Sequence, residues 1–134
     1  MKSFLQKTEN YFDDATSIGR EDGFFHNSKL TSIIVPQWVT RIERFSFAYS
    51  TLVSCDILSN VLYIGVSAFA GTSLETIKLP ITAIENNCFS ECSSLESVVI
   101  HNSYTQLGSY CFAKYLSLTA ITIPDAAIVS DTAF

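Results

Sequence analysis

The chain has 134 residues, with apolar types at 48% and charged types at 16%. That is one domain with ample material for a core, so intrinsic disorder is excluded. The formal net charge is −5. A general nucleic-acid binder needs a basic surface to meet phosphates, so that class is disfavoured, and no apolar run reaches the ~18 residues of a membrane-spanning helix.

At the N-terminus, Met1-Lys2-Ser3-Phe4-Leu5 opens like a signal peptide. The polar run Gln6-Lys7-Thr8-Glu9-Asn10 interrupts it before an apolar core can form, so no secretory signal is expected, which argues for a cytoplasmic location. Phe4, Leu5, Tyr11 and Phe12 fall on one face of a helix, which predicts a helical cap over residues 1–16.

From residue 17 the sequence repeats itself. An aliphatic residue stands five positions before a phenylalanine in Ile42/Phe47, Ile64/Phe69, Ile84/Phe89, Leu107/Phe112 and Val129/Phe134. The steps between successive phenylalanines are 22, 20, 23 and 22 residues, and Ile18-Gly19 with Phe24 or Phe25 is a degenerate earlier copy. Between these units runs a second pattern: Leu30…Ile33…Val35, Leu52…Cys55…Ile57, Leu74…Ile77…Leu79, Leu95…Val98…Ile100 and Leu118…Ile121…Ile123. Alternation with Val, Ile and Thr predicts a short strand with one face inward. Pro36, Pro80 and Pro124 end three of these strands, because proline cannot donate to a ladder. The steps Val39/Ile42, Val61/Ile64, Ile81/Ile84 and Tyr104/Leu107 bring the chain back along an opposite wall. A small residue followed by Phe then turns the corner, as in Ala68-Phe69, Cys88-Phe89 and Cys111-Phe112. One such coil cannot bury its own apolar side, so the coils must stack.

The run Leu30-Thr31-Ser32-Ile33-Ile34-Val35-Pro36-Gln37-Trp38-Val39-Thr40-Arg41-Ile42, with Ile64-Gly65-Val66-Ser67-Ala68-Phe69 and Phe89-Ser90-Glu91-Cys92, resembles the BspA-like, or Treponema-type, leucine-rich repeat family. Glu43 and Glu85 depart from it where the family carries glycine, and the 69–89 repeat is two or three residues short. The resemblance implies an α/β repeat solenoid: a right-handed stack of about five coils with short parallel strands over residues 17–134, behind the N-terminal cap. It also implies adhesion or protein binding at a cell surface rather than catalysis, with a host or matrix protein as one kind of partner.

No catalytic motif contradicts that. The chain has neither a nucleophile elbow, a phosphate-binding loop nor a zinc-protease signature. Asp13-Asp14 and Glu21-Asp22 read as solvated turns, and His26 and His101 stand in distant repeats. Cys88 and Cys92 have no histidine nearby, so no metal site and no cofactor are expected. Cys55, Cys88, Cys92 and Cys111 read as free, buried thiols.

Residues between the inward positions form two outward ladders. The first, Ser32, Ser54, Thr76, Ser97 and Ala120, is small and flat. The second, Ile34, Asp56, Lys78, Val99 and Thr122, varies from coil to coil as a recognition surface would. The competing reading is ordinary strand residues, with Asp56 and Lys78 pairing across coils. Trp38 joins the candidate partner-binding residues from a turn, unless it folds over its neighbouring coil; Tyr49, Tyr63 and Tyr115 are expected to be partly exposed. The last strand, Leu118 to Ile123, is expected to present an apolar edge, which makes a homodimer through that C-terminal edge the structural alternative.

Overall fold

The computed structural model describes residues 17–18, 28–57, 61–79, 83–101, 105–114 and 117–134. The expected cap over 1–16 lies outside them, as do Phe24, Phe25, His26, Pro80, Ile81, Tyr104 and Tyr115. Among the described residues, eleven strands alternate between two walls. In chain order they are β1 (Ser17–Ile18), β2 (Ser32–Val35), β3 (Arg41–Ile42), β4 (Ser54–Ile57), β5 (Tyr63–Ile64), β6 (Thr76–Leu79), β7 (Ala83–Ile84), β8 (Ser97–Ile100), β9 (Gln106–Leu107), β10 (Ala120–Thr122) and β11 (Ile128–Val129). The odd-numbered strands form one continuous sheet in the order β1-β3-β5-β7-β9-β11. The even-numbered strands form the opposite wall in two pieces, β2-β4 and β6-β8-β10. Every pairing is parallel and in register with the repeat, as in Ile33 against Cys55 or Ile64 against Ile84. The chain is thus a β-solenoid in which strands pair with their counterparts in the next coil, β4 and β6 excepted.

Alternation decides which side chains enter the core. Ile33, Val35, Ile77, Leu79, Val98 and Ile100 point inward from the long strands and are buried. Ile18, Ile42, Ile64, Ile84 and Leu107 meet them from the short strands. In the last coil Leu118, Ile121 and Ile123 are only partly buried. Among the described residues there is no helix. The return legs that an α/β solenoid builds from helix are here runs of tight turns.

Those turns follow one scheme in the coils of Phe47 and Phe69. Ser46 N–H donates to Glu43 O, Ala48 N–H to Phe45 O and Ser50 N–H to Phe47 O, at 3.3, 3.1 and 3.1 Å. The intervening amides donate instead to the next coil: Phe45 to Val66 O, Phe47 to Ala68 O and Tyr49 to Ala70 O, at 3.0, 2.8 and 2.7 Å. Alternate amides therefore close the turn and bind the neighbour, which leaves the buried corner with its N–H groups paired. The geometry requires a left-handed residue at two positions per coil. These are Phe45, Ser67, Asn87 and Tyr110 at one, and Tyr49, Gly71, Glu91 and Lys114 at the other, with φ between 55° and 66°. Positive φ at the third residue of the turn is the type II arrangement, which favours glycine. Only Gly71 meets that preference, and the Tyr49 ring lies where its Cβ would stand. The remaining residues bear a backbone cost that persists because the stack above and below overdetermines it.

Glu43 and Glu85 leave the turns intact. Glu43 N donates to Ile18 O and Glu85 N to Ile64 O, as Gly65 N and Gly108 N do to Ile42 O and Ile84 O. Glycine is needed only where the previous coil carries the glutamate: a Cβ on Gly65 would stand 2.6 Å from Arg44 N and 2.9 Å from Glu43 C. The short repeat loses its residues between the walls. Three residues separate Leu79 from Ala83, whereas five separate Ile57 from Tyr63 and Ile100 from Gln106.

Inside the corner the phenylalanines form a continuous stack. Phe47–Phe69, Phe69–Phe89, Phe89–Phe112 and Phe112–Phe134 have centroids 5.2, 5.3, 5.6 and 5.5 Å apart. The separations exceed the ~4.8 Å strand spacing, as expected of offset rings carried by stacked strands. Phe89→Ala removes a ring from the middle of this column and should cost about 3–5 kcal/mol in denaturant unfolding, from lost transfer plus cavity; a change within error would place Phe89 elsewhere.

The position three residues after Phe47, Phe69 and Phe89 is also interior. Cys92 Sγ donates to Phe69 O at 3.0 Å, and Thr72 Oγ1 lies 3.3 Å from Cys92 Sγ. The counterpart Ser50 is buried and its Oγ has no hydrogen-bond partner. A desolvated hydroxyl without a partner is destabilising, so Ser50→Ala should raise stability by about 1 kcal/mol, read as a higher denaturant midpoint with an unchanged m-value.

Candidate functional site

The second outward ladder lies on the long-strand wall. Ile34, Asp56, Lys78 and Thr122 are exposed and Val99 is half-buried. Strand register places Ile34 beside Asp56, and aligns Lys78, Val99 and Thr122 in a row. The two groups sit on different pieces of the wall, because no ladder joins β4 to β6. Among the described residues, ion pairs join Arg41 to Glu43 and Lys114 to Glu91, and none joins Asp56 to Lys78. The first ladder is as flat as its residue types suggest: Ser32, Ser54, Thr76 and Ala120 are exposed and Ser97 is half-buried. Ile34 is the most prominent apolar group of this wall, 59% exposed. Trp38 stands in the turn closed by Val39 N–H donating to Pro36 O at 3.1 Å, and is 44% exposed. More than half of the residue's surface is therefore covered.

The opposite wall carries a feature that the sequence reading missed. Arg41 and Tyr63 face outward from paired positions of β3 and β5. The guanidinium lies 4.1 Å from the Tyr63 ring centroid, and its Nε donates to Glu43 Oε1 at 2.9 Å. That hydrogen bond holds the Arg41 pKa above its ordinary value, against a smaller lowering by burial. Burial, aided by Glu85, pushes the Tyr63 phenol up despite the opposing arginine, so the ring stays neutral under its cation. The signal was present in the repeat, since Arg41 and Tyr63 each precede the wall aliphatic by one residue. On the turn side Tyr49 is exposed as expected, joined by Phe45 and Tyr110. These two escaped notice because the corner's left-handed conformation does not show in residues other than glycine.

No three His, Cys, Asp or Glu residues converge on a metal-binding geometry among the described residues. Cys55, Cys88, Cys92 and Cys111 are free and buried. Burial pushes the thiols of Cys55, Cys88 and Cys111 well above their ordinary range. All four pack within the hydrophobic core. Alkylation under denaturing, non-reducing conditions should modify all four cysteines; a mass two units lower with two left unmodified would reveal a disulfide.

Comparison with protein families matches the BspA type leucine-rich repeat region, in six copies across residues 16–134. Comparison with curated proteins and with solved structures returns no match. Six copies agree with the six strands of the continuous wall. The chain belongs to the BspA-type leucine-rich repeat family.

Proposed function

We propose that the chain is a non-catalytic interaction module that holds a protein partner against its long-strand wall. Repeat modules of this kind are commonly used in protein interaction. The observation that carries the assignment to this face is the register of its outward residues. Strand pairing lines up apolar Ile34 with acidic Asp56 on one piece of the wall and basic Lys78 with Val99 and Thr122 on the other, each beside a flat row of Ser, Thr or Ala. The flat row lets another backbone approach closely, while the varied row supplies discrimination. Trp38, beside the end of β2, extends the face with an aromatic anchor. The partner class is a protein, with host or matrix proteins at a cell surface as the kind the family favours. Pull-down against such proteins, followed by the combined substitution of Ile34, Asp56, Lys78 and Val99 by Ser, tests the reading. The expected result is loss of binding with an unchanged thermal transition. Full binding by that variant would move the site off this wall.

A second reading, a homodimer through the C-terminal edge, is favoured by exposed Ile128, Val129 and Phe134 in the last coil. Light scattering across a wide concentration range separates the two: mass that doubles, and reverts with Ile123→Lys, supports the dimer, and constant monomer mass removes it.

A further inference from the structure

The long-strand wall is interrupted at one place. β2 pairs with β4, and β6 pairs with β8 and β8 with β10, but β4 and β6 share no ladder. At the other junctions two amides enter the wall from the residues just before or at the strand start. Val53 and Ser54 N–H donate to Thr31 O at 2.8 and 3.2 Å, and Thr119 and Ala120 N–H to Glu96 O at 3.0 and 3.1 Å. At the β4–β6 junction one remains, Glu75 N–H to Val53 O at 3.3 Å.

Packing is thinner at the same place. The inward position filled by Ile33, Ile77, Val98 and Ile121 in the other long strands is Cys55 in β4. A thiol is smaller than these aliphatic chains, so fewer dispersion contacts cross the junction. Cys55 and Ile57 are 6% and 9% exposed, against 0% and 2% for Val98 and Ile100 in β8. The coil of β6 is also the one whose link to the opposite wall is two residues shorter.

The other two sides of this junction are intact. β5 pairs with β7 through Tyr63–Ala83 and Ile64–Ile84. Ser67, Phe69 and Gly71 N–H donate to Asn86, Cys88 and Ser90 O at 3.1, 2.9 and 2.9 Å. Phe69 stacks on Phe89 with rings within 3° of parallel.

We propose that the β4–β6 junction is a hinge, in which the first coils swing about the continuous short-strand wall and the Phe69–Phe89 contact so that the long-strand wall opens between Asp56 and Lys78. The hinge follows from the asymmetry of the junction, held by a ladder and the stacked corner on two sides and by the single Glu75–Val53 hydrogen bond beside the core contacts on the third. It does not depend on the identity of a partner. Where the long-strand wall is the binding face, the hinge sets the angle between Ile34 and Asp56 on one plate and Lys78, Val99 and Thr122 on the other.

The native thiols test this in the unmodified protein. Cys55 lies at the seam, whereas Cys88, Cys92 and Cys111 lie at the pivot corner. Opening exposes Cys55 alone, so under native conditions it should be alkylated at least about tenfold faster than the other three, the ratio expected when a local opening is cheaper than global unfolding. Residue-resolved hydrogen exchange provides the second measurement. Amides of β4 and β6 that face each other should exchange at least about tenfold faster than the paired amides of β8. Alkylation of all four cysteines at one common rate, or protection at the seam equal to that in β8, would overturn the hinge.

Discussion

Every coil of this chain is insoluble in the energetic sense: its inner side chains find too few partners within the coil itself. Stacking supplies them. The column from Phe47 to Phe112 and the aliphatic rows beside it are buried only because each coil covers the next. Dispersion and apolar burial thus act along one axis, and everything else serves to keep successive coils parallel and about one strand spacing apart. The backbone follows the same logic. Parallel ladders on two walls and cross-coil turn bonds on the third direct its polar groups along the stack rather than across it.

This arrangement explains how the corner tolerates unfavourable local conformations. Seven described residues other than glycine have positive φ, among them Phe45, Tyr49 and Tyr110. In an isolated turn such residues favour other conformations. Here the alternate amides of the corner are pinned by carbonyls of the next coil, and a fully buried phenylalanine anchors each turn from inside. The local cost is outweighed by contacts repeated in every coil. The same stacking constrains the position after the wall aliphatic, where glycine and glutamate alternate from Glu43 to Gly108: a glycine coil makes room for the backbone of a glutamate coil.

The outer surface is free of these demands, and it differs between walls. The short-strand wall is continuous and carries the stacked Arg41–Tyr63 pair with Glu43. The long-strand wall is flat, varied and divided. A divided wall on a continuous spine lets two rigid plates change their mutual angle without disturbing the aromatic column. That combination would suit the interaction surface proposed above, because the plates keep their own residues in register while the seam adapts.

Sequence alone determined the repeat length, the inward and outward faces of the strands and the interior phenylalanine column. Each of these is set by a period, two residues along a strand and about twenty-two along the coil, and a period is written directly in the order of residues. It also placed Ile34, Asp56, Lys78, Val99 and Thr122 on one wall, because register in a solenoid follows from matching positions in successive repeats. Only the tertiary structure decided that the wall divides between Asp56 and Lys78, that these two charges form no ion pair, and that Arg41 stacks on Tyr63. Those outcomes depend on how closely two particular coils approach. That distance reflects side-chain volume at Cys55, the length of the link after Leu79 and the turn bonds on the far side, all acting together across residues remote in the chain.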